Sequence, residues 1–409
     1  MFKLFHFLMV GVLLAACSAT VESRLDFVRA NYMNTTITAD DLEDKNNLDL
    51  LITADTLFHN DDLAGADKAY EIFNKKNPDV TSGSFLREAT SFAFGANAND
   101  YRPFMMDTLF VSYYQLWAAI SDGRWNDARV IINQSYAKQQ NMSVAYKKLI
   151  EANQKEIAEH KETTGKIEKW AAYSDIMNPA LMYLSGIYFL TMGDFNDAVT
   201  YLDRAHGMVP ENKFVVDDLN LARAKQKPQN TVWFFIEDGF APKLTEQRVS
   251  LPIFMGNGLS WVTIATSQPI LLSGNSKIDG AEQIANVDAM FMTEYNEYHT
   301  NEVLRAVAAA AGRTALQTTM YNSKSDAAAL LGLMSLIYSE ATTNAEVRTW
   351  ATLPKTISVL RMSVNKSGLI DLRSSGNVLT SVSVPTHDNS IVYVRVAPQT
   401  WDIKVMKLK

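Results

Sequence analysis

The chain has 409 residues, 47% of them hydrophobic and 10% aromatic, which describes a globular protein of two or three domains. Its net charge of −7, from 38 Lys and Arg against 45 Asp and Glu, argues against a nucleic-acid partner, which needs clustered cations. A single cysteine excludes intrachain disulfides and paired-cysteine metal or redox sites, so the fold must be held by its core alone.

The first element is an apolar run from Leu4 to Ala16, broken by His6 and Gly11 and preceded by Lys3. It is too short to span a bilayer core, which needs about 20 apolar residues. Residues 1–16 therefore read as a signal peptide. The run ends in Leu14-Ala15-Ala16-Cys17, which resembles the lipobox of bacterial lipoproteins. That resemblance implies diacylation of the Cys17 thiol, so that residues 17–40 form a lipidated N-terminal segment. Each buried CH₂ contributes about 0.8 kcal/mol and one chain alone holds marginally, so the two or three chains of such an anchor make attachment near permanent. Ser18 in place of Asp implies, by resemblance to the enterobacterial sorting signal, the outer membrane facing the periplasm.

Residues 41–226 are rich in Ala, Leu, Lys, Glu and Asp at helical spacing. Three segments share a pattern. The clearest carries Gly186, Phe189, Gly193, Phe195, Ala198, Leu202, Ala205 and Pro210, which resembles the tetratricopeptide repeat (TPR). Small residues at Gly186, Ala198 and Ala205 let two helices approach closely, and Gly193-Asp194 makes the turn. A second copy runs through Ala54, Leu57, Asp61, Leu63, Ala66, Tyr70, Phe73 and Pro78, with Asp61 where glycine is usual. A third runs from Ser112 through a Gly123 turn to Trp125 and Ala128, then into a long charged helix reaching Lys169. Stacked hairpins of this kind leave a concave groove that usually holds a peptide or a partner helix. First helices line that groove, which makes Tyr183, three residues before Gly186, the candidate partner-binding residue.

A polar linker, Lys225-Gln-Lys-Pro-Gln-Asn230, precedes the strand-like run Thr231 to Ile236 and opens the second domain, 231–409. Alternating segments at 357–364, 369–373, 378–384, 391–396 and 403–408, separated by short polar turns, indicate an antiparallel meander. Two helices are expected between the early and late strands, at about 294–321 and 325–343, with Ala308 to Gly312 a smooth packing face. The fold class is thus α+β: a TPR-like helical domain followed by a domain with an antiparallel sheet and two helices.

Few residues invite chemistry. Glu237-Asp238-Gly239 ends a strand, and adjacent strand residues face opposite ways, so it reads as a strand terminus and turn. Gly256-Asn257-Gly258 is a GxG without a following helix, not a phosphate loop. His59, His160, His206, His299 and His387 are scattered without metal spacing, and no GxSxG elbow occurs. No catalytic residue, cofactor site or metal site is assigned.

Four phrases together resemble a poorly characterised family of bacterial tetratricopeptide lipoproteins. They are Trp125-Asn-Asp-Ala-Arg129, Asn178-Pro-Ala-Leu-Met-Tyr-Leu-Ser-Gly186, Glu237-Asp-Gly-Phe-Ala-Pro242 and Glu346-Val-Arg-Thr-Trp-Ala-Thr-Leu-Pro354. The resemblance implies an exported, membrane-attached repeat protein and carries over no catalytic residue. Physically, Asn178-Pro179 caps and starts a helix, and Trp350 fills a seam beside the final strands. The leading expectation is a non-enzymatic scaffold or assembly lipoprotein of the envelope. It would hold the lipid membrane through acylated Cys17 and a protein partner through its repeats. The alternatives are a small-molecule or glycan module in the C-terminal domain, marked by an exposed cluster drawn from Trp233, Trp261, Trp350 and Trp401, and an envelope hydrolase.

Overall fold

The computed structural model describes residues 21–78, 101–159, 178–255, 258–274, 277–296, 347–397 and 400–408. Cys17, the leader, the expected 325–343 helix, all but the start of the 294–321 helix, Gly256-Asn257, His160 and His299 lie outside the described residues.

The fold is mixed α+β, with helices in the N-terminal half and strands in the C-terminal half. Helix α1 (Val21–Asn31) is followed by α2 (Asn47–His59), α3 (Leu63–Lys76), α4 (Met105–Ser121), α5 (Trp125–Glu159), α6 (Pro179–Met192), α7 (Phe195–Met208) and α8 (Lys213–Arg223). A further helical stretch, α9, covers 287–296.

The helix starts are written in the sequence. Asn46 accepts from the Asp49 amide at 2.9 Å, and Asp62 accepts from the Gly65 amide at 3.0 Å. Asn178 caps α6 by accepting from the Leu181 amide, with Pro179 in the first turn. Gly193 ends α6 at φ +84°, in the left-handed region that favours glycine. Consecutive helices pack as the pairs α2–α3, α4–α5 and α6–α7. α6 and α7 approach closely at Gly186, where an added methyl would stand 2.5 Å from Leu202 Cγ. Ala198 and Ala205 on α7 are fully buried. Asp61 takes φ +62°, which explains how it serves at the turn where glycine is usual.

Among the described residues nine strands follow: β1 (Thr231–Asp238), β2 (Lys243–Met255), β3 (Gly258–Ile270), β4 (Glu282–Asn286), β5 (Thr356–Ser363), β6 (Leu369–Ser374), β7 (Asn377–Ser383), β8 (Ser390–Ala397) and β9 (Thr400–Lys407). The expected meander is corrected. The main sheet has the order β4-β5-β1-β8-β9, with β1 antiparallel to β5 and parallel to β8. β6 and β7 leave the sheet as a separate ribbon, so the chain crosses to the far side of β1 before β8 begins. The reason lies in β1, whose run Val232 to Ile236 is apolar without alternation. Such a strand belongs at the centre of a sheet, covered on both faces, and all of Thr231 to Glu237 is buried.

The helical layer and the sheet share one hydrophobic core, running from Leu25 to Leu408. Every residue of α4 from Met105 to Ile120, and of α6 from Pro179 to Thr191, is buried. Helices apolar all round belong inside a protein, and these two lie between their helical partners and the sheet. Ring contacts cross the seam: Trp117 meets Phe235 and Tyr393 at 5.4 Å, Phe58 meets Tyr393 at 5.2 Å and Tyr183 meets Phe235 at 5.7 Å. Two expectations are corrected by this. The linker at 225–230 marks a change of secondary structure within a common core, not a boundary between separate cores. The side of the first helices that was expected to form an open groove is filled by the chain's own sheet. Within residues 21–40, Leu25, Val28 and Tyr32 are buried in the body.

Candidate functional site

The sheet face turned to the helices carries apolar and aromatic residues along most of its length and charged residues at one end. Trp233, Phe235 and Glu237 on β1 stand beside Ile391, Tyr393 and Arg395 on β8 in parallel register, and Arg395 faces Asp402 on β9. Glu237, Arg395 and Asp402 therefore form one row across the sheet. Glu237 and Arg395 are completely buried.

Each charge is met by groups from the helices or loops. Glu237 accepts from the Tyr393 hydroxyl at 2.8 Å and the Tyr114 hydroxyl at 3.0 Å. Arg395 donates to the Tyr32 hydroxyl at 2.9 Å and the Thr352 carbonyl at 3.2 Å, and lies 4.9 Å over the Phe240 ring. Asp55 on α2 accepts from the Tyr70 hydroxyl at 2.5 Å, the Trp350 indole at 2.8 Å and the Thr352 hydroxyl. His59 Nδ1 lies 2.7 Å from Asp402 Oδ2, and Lys404 bridges Asp402 and Asp61. Trp350 does fill a seam, between the helical layer and the strands. Its indole is tied to α2 and its ring lies near Tyr70 and Tyr114.

Burial sets the protonation of these groups. It pushes Glu237 up to about 7 and Asp55 up to about 6, against the opposing pull of Arg395 and of their donors. It pulls His59 below its ordinary value in spite of Asp402. Carboxylates raised in this way often mark catalytic sites. Here Asp55 and Glu237 are buried, and the donors around them come from the elements they join. The arrangement ties the helical layer to the sheet.

Asp107, in the first turn of α4, shows the same physics with no cation among its causes. It accepts from the Tyr101 hydroxyl at 2.7 Å and the Phe104 amide at 2.8 Å, and burial pushes it up to about 7. A folded-state value above the unfolded one means that folding takes up a proton. The stability that the protonated carboxyl contributes is complete below about pH 4 and is lost as pH rises through about 7. Asp107→Asn keeps an acceptor without a charge. It should gain on the wild type progressively from pH 4 to pH 7, reaching about 4 kcal/mol above that range. Urea denaturation across this range checks it, and parallel pH profiles for the two proteins would refute it.

A second buried cluster holds the residue assigned to partner binding. Tyr183 is fully buried, not exposed. Its hydroxyl donates to Asp218 Oδ2 at 2.7 Å, and the Trp233 indole donates to the same oxygen at 2.7 Å. Arg361 Nε lies 2.9 Å from Asp218 Oδ1, an ion pair outside hydrogen-bond alignment. The correction has a plain cause: the first-helix face that Tyr183 occupies packs on the sheet. Tyr183 is a core residue that joins α6 to α8 and β1.

Comparison with protein-family models, with curated proteins and with solved structures finds no match. The site must be read from its own chemistry. Among the described residues, no group of three or more His, Cys, Asp or Glu side chains is placed to hold a metal ion, and no helix is long and apolar enough to cross a membrane.

One surface cavity of about 190 Å³ opens between α1 and the sheet, lined by Arg29, Tyr32, Met33, Phe240, Ala397 and Thr400 among others. Its inner wall adjoins the seam, since Tyr32 and Phe240 both contact Arg395. Sequence reasoning missed Arg29, Asp55, Asp218 and Arg395. The one legible signal was an arginine in the buried-strand pattern Ile391 to Val396, where a charge needs a buried partner.

Proposed function

We propose that this protein is a lipoprotein of the bacterial cell envelope, anchored through acylated Cys17, and that it acts as a non-enzymatic binding or assembly body. The observation that carries the reading is the lipobox-like Leu14-Ala15-Ala16-Cys17, set four residues before a folded element. Four residues reach at most about 14 Å. α1 is in turn docked on the body, with Lys243 on β2 paired to Asp26 at 2.8 Å and the Glu246 amide donating to Glu22 at 3.2 Å. An anchor on Cys17 therefore holds the body against the membrane surface without a flexible stalk. The helical pairs of 41–226 fit a TPR-like reading at Gly186, Ala198, Ala205 and Asp61. Because the sheet takes the side of the first helices, a protein partner meets the outer helices, where Val130 on α5 is exposed. Ser18 favours the outer membrane.

Fractionation tests the anchor. The wild-type protein is expected to stay with membranes through carbonate and salt extraction, and Cys17→Ser to become extractable. A mutant as resistant as the wild type would sink the reading.

The small-molecule alternative gains one observation, the cavity beside α1. It does not gain an aromatic platform from Trp233 or Trp350, which are buried against the helical layer.

A further inference from the structure

β2 and β3 form a two-stranded ribbon that pairs with no other strand among the described residues. Its charges, Lys243, Glu246 and Arg248, all lie in its foot, and the sequence holds no Asp, Glu, Lys, Arg or His from 249 to 276. In the far part, Leu251 stands opposite Val262, Pro252 opposite Trp261 and Phe254 opposite Leu259. Successive pairs belong to opposite faces of a ribbon, so both faces are mainly apolar there. A half-solvated antiparallel sheet instead alternates apolar with polar residues. A ribbon apolar on both faces calls for a cover on both.

The position of α1 indicates the cover. Glu22 meets β2 at Glu246 and Asp26 meets it at Lys243, so α1 runs against β2 and its first residue, Val21, lies toward the far end of the ribbon. Cys17 stands four residues earlier in the sequence, within about 14 Å. From Glu246 to residue 249, where the charges have stopped, is three residues, about 10 Å at the rise of a strand. An acyl anchor on Cys17 thus reaches the level at which the uncharged part begins, and the rest of that part lies beyond it. Trp261, three pairs from the last pair Met255–Gly258, is about 10 Å from the end. Interfacial helices bury their apolar face to about this depth, and tryptophan favours the boundary between lipid and water. The open edges of the ribbon set the limit, because their outward N–H and C=O groups would go unmet in hydrocarbon.

We infer that the far end of the ribbon, 249–255 with 258–264, inserts into the interfacial layer of the membrane that carries the anchor. It makes a reversible second contact that fixes the orientation of the body. The choice of a lipid surface as the cover rests on the reading of Cys17 as an acyl anchor.

The test uses the chain from Ser18, which lacks leader and anchor, keeps every described element and contains no cysteine. It is expected to float with phosphatidylcholine vesicles in a density gradient, at high salt as at low, because no charge takes part. An environment-sensitive fluorophore on Ile253→Cys should shift to the blue when vesicles are added, and one on Val130→Cys, an exposed position of α5, should not. Ile253→Asp should lower vesicle binding at least about tenfold while keeping the urea transition of the wild type. Should that variant fail to fold, the label at Ile253→Cys decides. The inference is overturned if the chain from Ser18 does not bind vesicles, if Ile253→Asp binds as well as the wild type, or if the label at 253 shifts no more than the label at 130. It is also overturned if the label at 253 is out of water before vesicles are added, which would show the ribbon end covered by this chain or by a second copy. Vesicle binding without the anchor and extraction of Cys17→Ser from cells are separate measurements, so failure of the ribbon leaves the anchor standing, and the reverse.

Discussion

Asp55→Ala is expected to cost about 4 kcal/mol of folding stability. Asp55 is fully buried, and its two oxygens take hydrogen bonds from Tyr70, Trp350 and Thr352. Truncation leaves the Trp350 indole without an acceptor, and an indole N–H has no other way to be satisfied. The two hydroxyls lose their partner in the same step. Each unmet buried donor costs about 1–3 kcal/mol, and a small cavity adds to that. With total stabilities of about 5–15 kcal/mol usual for proteins, the loss is a large share. Asp55→Asn should cost about half as much, because one oxygen still accepts while the amide nitrogen opposes a donor. Urea denaturation at pH 7 gives both values. A loss below about 1 kcal/mol for Asp55→Ala would show that the seam is not held by this carboxylate.

Neither half of the protein is expected to fold alone. Fragments 20–226 and 231–409 meet at a proline-containing polar linker, the kind of stretch in which domain boundaries fall. The core nevertheless crosses that point. Fragment 20–226 would expose the sheet-facing sides of α4 and α6, including Trp117 and Tyr183. Fragment 231–409 would expose Trp233, Phe235 and Tyr393 and leave Glu237 and Arg395 without Tyr114 and Tyr32. It would also remove Glu294 from the amides of Met105 and Met106, at the start of α4. Each fragment alone should lack a cooperative thermal transition, and co-expression of the two should restore one. Cooperative unfolding of both separate fragments would overturn the reading of a shared core.

Much of the local structure was legible from the residues. Asn178, read as a cap beside Pro179, caps a helix through a short side-chain contact that depends on a neighbour a few residues away. The pairing of Gly186 with Leu202 follows from small residues repeating at helical spacing. The strands β5 to β9 announced themselves by alternation or by polar turns. The order in which those strands pair did not, because an antiparallel turn and a crossover through a separate ribbon leave the same alternation in each strand. The candidate site was almost invisible. Asp55 sits among helix residues that resemble any solvated turn, and Arg29 follows Phe27 and Val28 with no pattern to separate it from a surface arginine.

The sequence by itself determined the helical first half, the strand-rich second half, the helix cap at Asn178 and the close approach of α6 to α7, all of which rest on interactions within about a turn or a hairpin. It also carries the lipobox-like end at Cys17. Only the tertiary structure decided that the sheet closes over the first helices, that Tyr183 is core, and that Glu237, Arg395 and Asp55 meet in one seam. These are contacts between residues separated by up to 363 positions. Burial depends on what packs above a face, and a periodic pattern states that a face is apolar without stating what covers it.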